Sequence, residues 1–97
     1  TRWLEFRRVL FRSLDDFISD YPGTPYREDA LFYLLDSSYE LAINSIDEKK
    51  LERLNNAKKI HSELTSTYPE TKYLDKSNKM LQSIEKEITI FAKNTTE

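Results

Sequence analysis

Few side chains in this 97-residue sequence are spaced for chemistry. His61 is the single histidine, and its neighbours four residues away on a helix, Ala57 and Thr65, offer no partner for a metal or a proton relay. A histidine packed at a helix interface is the expectation, ahead of a ligand or general base. Asp15–Asp16 and Glu28–Asp29 are adjacent acids. Successive residues on a helix splay apart, so these pairs suit solvated positions or the favourable end of a helix dipole, not acid–base work. Ser37 and Ser38 lack a histidine to activate them and suit close helix packing. With no cysteine there is no disulfide, thiolate metal site or cysteine nucleophile, and the lone Gly23 cannot build a phosphate-binding loop. The sequence therefore presents no catalytic, cofactor-binding or metal-binding residue, and the chain is expected not to be an enzyme.

The elements that would carry these side chains are helical. One Gly and three Pro in a chain with 33% charged residues favour helices joined by short connections. No apolar run approaches the ~18–20 residues of a membrane span. A net charge of −2 disfavours nucleic acid as a partner. Charge is uneven, however. Residues 1–13 carry Arg2, Arg7, Arg8 and Arg12 against Glu5, a net +3, whereas residues 14–97 use nine Lys and two Arg against sixteen acids, a net −5. One reading is a basic amphipathic helix for a membrane surface or a partner. The other is a non-native leader, disordered or helical, because Leu10-Phe11-Arg12-Ser13 resembles the translation of a common sequencing-adapter end. No functional expectation rests on residues 1–13.

Tyr21-Pro22-Gly23-Thr24-Pro25-Tyr26 recurs as Tyr68-Pro69-Glu70-Thr71-Lys72-Tyr73, 47 residues later. In each copy the proline ends a helix, the threonine caps the next, and the last tyrosine can dock back over the corner. Between the corners, apolar residues recur at helical spacing. Leu14, Phe17 and Ile18 lead into the first corner. Ala30, Leu31, Leu34, Leu35, Ser38, Leu41 and Ala42 follow it over about 25–45. Leu51, Leu54, Ala57, His61, Leu64 and Tyr68 mark a third helix, with Asp47 as its N-cap. Tyr73, Leu81, Ile84, Ile88 and Phe91 mark a fourth.

The pattern fits tetratricopeptide spacing. Ala57, His61, Leu64 and Pro69 keep the template's intervals of 4, 3 and 5, and Phe32-x2-Leu35-Asp36-x2-Tyr39 fills its first helix except at the glycine. Nine extra residues between Tyr39 and Ala57, and four between Pro22 and Phe32, stretch the usual 34-residue unit to 47. They are expected as lengthened helices and a long charged turn from Ile46 to Arg53. The counterparts of Phe32, Leu35 and Tyr39 in the last helix are Lys79, Gln82 and Lys86, a polar face suited to the end of a stack. The expectation is an all-α fold of about four helices in tetratricopeptide-like hairpins, the C-terminal end of an α-solenoid. Residues 14–93 would be the repeat domain, 72–93 its cap and 94–97 a frayed end.

Leu14-Asp-Asp-Phe-Ile-Ser-Asp-Tyr-Pro-Gly-Thr-Pro-Tyr-Arg-Glu-Asp-Ala30 and Tyr33-Leu-Leu-Asp-Ser-Ser-Tyr-Glu-Leu-Ala-Ile-Asn-Ser45, continued by Glu52-Arg53-Leu54 and the second corner, resemble the C-terminal part of BamD-like lipoproteins. The resemblance is closest to forms from Bacteroidetes-type bacteria and covers about residues 14–90. It implies a non-catalytic scaffold of the outer-membrane β-barrel assembly machinery, on the periplasmic face. It also implies docking of the periplasmic domains of a BamA-type partner, no cofactor, and a lipid anchor outside this stretch.

The residues placed in such docking are Tyr33 and Tyr39, from the aromatic set that also holds Tyr26, Phe32 and Tyr73, and Lys49, Lys50 and Arg53 from the charged turn. Most of the aromatic set is expected to be core, and the turn also reads as a solvated loop. The alternative function is a periplasmic tetratricopeptide adaptor that takes extended peptides in its groove. Leu14, Phe17 and Ile18 are expected to leave an unpaired apolar surface prone to self-association.

Overall fold

A computed structural model describes residues 2–95, apart from the side chains of Asp47, Asn94 and Thr95. Four α-helices follow one another: α1 Arg2–Asp20, α2 Arg27–Ile43, α3 Asp47–Thr67 and α4 Leu74–Thr95. The expected all-α architecture of helical hairpins is what forms. Helix α2 is central: it packs between α1 and α3, and its side also meets α4, which lies chiefly on α3. The body is a slab of 47 × 30 × 18 Å.

The central place of α2 explains its weak amphipathicity. A helix with neighbours on several sides must be apolar on several sides. Ala30, Leu31, Phe32, Leu34, Leu35, Ser37, Ser38 and Ala42 are all buried there. Leu54, Ala57, Ile60 and Leu64 of α3 and Ile84 of α4 complete the core. Burial of each such leucine or isoleucine stabilises the fold by roughly 1.5–3 kcal/mol. Small residues at Ser37 and Ala57, both fully buried, let backbones approach at the helix crossings.

The two corners are built alike, bond for bond. In the first, backbone N–H groups of Tyr21, Thr24, Arg27 and Ala30 donate to the carbonyls of Phe17, Tyr21, Thr24 and Tyr26 at 2.9, 3.1, 3.2 and 2.9 Å. In the second, those of Tyr68, Thr71, Leu74 and Ser77 donate to Leu64, Tyr68, Thr71 and Tyr73 at 2.9, 3.1, 3.1 and 2.8 Å. Every donor and acceptor is displaced by 47, the spacing of the sequence repeat. Each threonine side chain accepts from the amide two residues on, Tyr26 to Thr24 Oγ1 at 3.2 Å and Tyr73 to Thr71 Oγ1 at 3.3 Å. The capping role therefore belongs to a short turn just ahead of each helix.

Three expectations are corrected. The long charged turn from Ile46 to Arg53 is helix from Asp47 onward, and only Asn44–Ile46 link α2 to α3. The inserted residues lengthen helices, because Glu48, Lys49, Leu51 and Glu52 have no helix-breaking character and propagation costs little once α3 is anchored. The N-cap position falls to Ile46, in extended conformation, with Asp47 the first helical residue. Leu14 and Ile18 do not form a free apolar surface: both pack against the core, and Phe17 is half-buried with its ring 5.5 Å from Tyr21. The fraying expected at 94–97 falls on residues whose side chains, or whole placement, lie outside the described part.

Candidate functional site

Helix α2 meets the second corner through polar groups that the sequence reading left to solvent. Glu28 and Asp29 stand in the first turn of α2. The Thr71 hydroxyl donates to Glu28 Oε2, and the Tyr73 hydroxyl donates to Asp29 Oδ1 at 2.5 Å. Lys72 Nζ lies 3.4 Å from the same Asp29 oxygen. One turn further along α2, the Phe32 ring stacks on Tyr73 with centroids 4.0 Å apart and planes within 5°. The corner is thus clamped by two hydroxyl–carboxylate bonds and an aromatic stack.

The clamp shifts both ionisable partners. The hydrogen bond from Tyr73, with Lys72 beside it, holds the Asp29 carboxyl below its ordinary value of 3.8. The same bond to Asp29, and then desolvation, push the Tyr73 phenol well above its ordinary 10.0. The sequence signal was present in the repeat. The residues one turn before Phe32 are where a docking Tyr73 would bring its hydroxyl.

The five residues expected at a partner interface do not form one cluster. Tyr33 is 50% exposed, next to the clamp, its ring 6.4 Å from that of Tyr73. Lys49, Lys50 and Arg53 lie at the far end of the α2–α3 hairpin; from Tyr33 to Asn44 is about 16 Å of helix. Lys49 is exposed. Lys50 is half-buried and pairs with Glu87 of α4 at 3.3 Å. Arg53 Nη1 donates to Ser45 Oγ at 2.6 Å, and Ser45 Oγ in turn donates to the Leu41 carbonyl. Arg53 therefore ties α3 across the short linker to α2. Lys49 and Arg53 border one cleft with Leu4 and Arg8 of α1 and with Leu41, Asn44, Ser45 and Ile46, the last 70% exposed. Tyr39 packs against the core.

A family model described as an outer membrane lipoprotein, YfiO, matches residues 11–92. The chain belongs to this family. Membership places the protein among the BamD-like lipoproteins of outer-membrane assembly, a non-enzymatic family acting through protein–protein contacts at the outer membrane. Comparison with curated proteins gives no match.

The remaining polar residues of this outer membrane lipoprotein family member fit a scaffold. His61 is buried and its Nε2 pairs with Asn78 Oδ1 of α4 at 3.1 Å, so it joins two helices. Arg27 bridges to Glu63 at 3.2 Å, and Lys58 to Glu85 at 3.6 Å. Such partly exposed pairs each contribute about 0–1 kcal/mol. No group of acids or histidines suited to a metal occurs among the described residues, and no described helix is long and apolar enough to cross a membrane.

Proposed function

We propose that this chain is the partner-docking, C-terminal part of a BamD-like lipoprotein, holding the periplasmic domains of a BamA-type protein on the periplasmic face of the outer membrane. Family membership over residues 11–92 carries the reading. What docking requires of the scaffold is rigidity. The α2–α3 hairpin supplies it, being pinned at one end by the Thr71–Glu28 and Tyr73–Asp29 bonds and at the other by Arg53 on Ser45. A surface that is already ordered loses little conformational freedom on binding.

The five docking residues divide by role. Tyr33 and Lys49 are the direct contacts, an exposed aromatic anchor and a steering charge. Tyr39, Lys50 and Arg53 set the shape of the surface between them. The C-terminal helix closes the stack, since Lys79, Gln82 and Lys86 are exposed where α2 carries Phe32, Leu35 and Tyr39.

A titration of the chain against the isolated periplasmic domains of a BamA-type protein from a Bacteroidetes-type bacterium tests the proposal, with extended aromatic-terminated peptides in parallel. Saturable binding to the folded domains, weakened by Tyr33→Ala and by Lys49→Glu, is the expected result. Peptide binding with indifference to those domains would replace the docking reading with the groove-adaptor one.

A further inference from the structure

In the sequence, Arg8 and Arg12 stand in the basic leader and Lys49 and Arg53 in the charged stretch after α2; the fold brings the two sets together. Two neighbouring clefts are walled by α1, α2 and α3. One, of about 520 Å³, is bordered by Arg8, Lys49 and Arg53. The other, of about 260 Å³, is bordered by Arg8, Arg12 and Arg53, and Leu41 is common to both. No described carboxylate lines either cleft. Glu52, next to Arg53 in sequence, borders a separate cleft along α3. Elsewhere the cations are matched: Arg7, Arg27, Lys50, Lys58 and Lys72 each reach a carboxylate. Arg8, Arg12, Lys49 and Arg53 reach none among the described residues. In a chain of net charge −2, unpaired cations gathered around one depression repel one another, and a bound anion relieves that repulsion.

We propose that this pair of clefts binds a phosphate group carried by a small molecule with an apolar part. Arg53 is the anchor. Its Nη1 donates to Ser45 Oγ at 2.6 Å, which fixes the guanidinium at the wall that both clefts share. Its remaining N–H groups have no partner among the described residues. A planar guanidinium held in place offers parallel donors to two phosphate oxygens. Arg8 and Arg12 add charge from the α1 wall, and Lys49 adds it from the first turn of α3. Arg12 lies inside the stretch that the family model matches. A phosphate monoester carries a charge of about −1.5 to −2 at neutral pH, which suits this set of cations better than the single charge of a carboxylate.

Leu4, Phe11, Leu41 and Ile46 supply the apolar part of the lining. A concave site of about 300–1,000 Å³, apolar with a few convergent polar groups, is the usual form of a small-molecule site. The larger cleft has that size and that mixture. A concave site of this kind takes a small molecule into itself, so the proposal rests on the cleft alone, independently of any BamA-type partner. A lipid head group and a soluble phosphate ester present the same chemistry, and the test separates them.

The test is a calorimetric titration of the 97-residue chain with hexyl phosphate, and with inorganic phosphate and hexanol as the two halves of that probe. The expected result is saturable binding of hexyl phosphate, at least about tenfold weaker for inorganic phosphate and absent for hexanol. Arg8→Ala/Arg12→Ala should weaken hexyl phosphate binding at least about tenfold. Arg53→Lys keeps the charge but loses the fork, and should fall between. Lys79→Ala/Lys86→Ala removes as much charge from the exposed face of α4 and should bind as the parent does. Arg8 and Arg12 are exposed, so far-UV circular dichroism of their variant should match that of the parent. Sedimentation with phosphatidylcholine vesicles, with and without phosphatidic acid, then finds the source. Binding to phosphatidic acid that the Arg8/Arg12 variant loses assigns a lipid head group; hexyl phosphate binding without vesicle binding assigns a soluble ester. No saturable binding of hexyl phosphate would overturn the proposal. So would binding that ignores the substitutions at Arg8 and Arg12, or that falls equally in the Lys79/Lys86 variant.

Discussion

At the residue scale, the polar side chains of this chain join helices. Asp29 and Tyr73 show what that means for pH. The folded carboxyl of Asp29 lies below its ordinary 3.8, so its contribution is complete above that value and is lost as pH falls through the lowered folded one. The folded phenol of Tyr73 lies above its ordinary 10.0, so its contribution is complete below that value and is lost as pH rises towards the folded one. Tyr73→Phe should therefore lower the denaturation midpoint by a constant amount between about pH 5 and 9, with the difference from the parent shrinking at either extreme. Urea unfolding of both proteins across pH checks it; a difference that does not vary with pH would contradict the clamp. Ser77 behaves oppositely. It is fully buried, its Oγ has no hydrogen-bond partner among the described residues, and its repeat counterpart is Ala30. Ser77→Ala should stabilise the chain, by about 1 kcal/mol, read as a raised thermal midpoint. His61 was legible in the sequence as an interface residue from its place in the repeat. Its partner Asn78 was not, because nothing in the spacing of α4 marks which residue faces α3.

At the element scale, the corner is the unit that organises the fold. Thr71→Val removes both the bond to the Tyr73 amide and the one to Glu28. It should cost about 1–2 kcal/mol. Thr24→Val loses only the local bond to Tyr26, so its cost should be smaller. Chemical denaturation of the two variants side by side decides whether the second corner is clamped by α2. The place of the corners was legible in sequence, since proline and tyrosine act locally, but the threonine expected to N-cap α2 sits in the turn ahead of it, where Tyr26 holds the N-cap position. The α2–α3 connection was not. A run of mixed charges reads equally as a loop or as the solvated first turns of a helix. What decides is how close the end of α2 lies to the start of α3, where Arg53 reaches Ser45. That is a tertiary fact with no periodic signature. The docking residues suffered likewise: Lys49, Lys50 and Arg53 are close in sequence, but on a helix they point to solvent, to Glu87 and to Ser45.

At the scale of the whole molecule, the proposed function requires that α1 and α4 hold the central α2–α3 hairpin in place. Residues 2–13 are the first part of α1; Phe11 packs against the core, and Arg7 pairs with Asp36 of α2 at 2.7 Å. Both side chains of that pair are about a quarter exposed, where an ion pair contributes about 0–1 kcal/mol. Deleting residues 1–13 should lower the thermal midpoint, because it takes Phe11 from the core and Arg7 from Asp36; thermal unfolding followed by circular dichroism checks it. An unchanged midpoint would show that the first part of α1 adds nothing to the fold.

The central claim is that folded partner domains seat on the α2–α3 hairpin. Amide hydrogen exchange of the chain, with and without saturating periplasmic domains of a BamA-type protein, tests it most directly. Protection around Tyr33 and through the first turns of α3 containing Lys49 and Arg53, with no change along the Lys79–Gln82–Lys86 face of α4, is the predicted result. Protection confined to α4, or unchanged exchange across the α2–α3 hairpin in a bound complex, would contradict it.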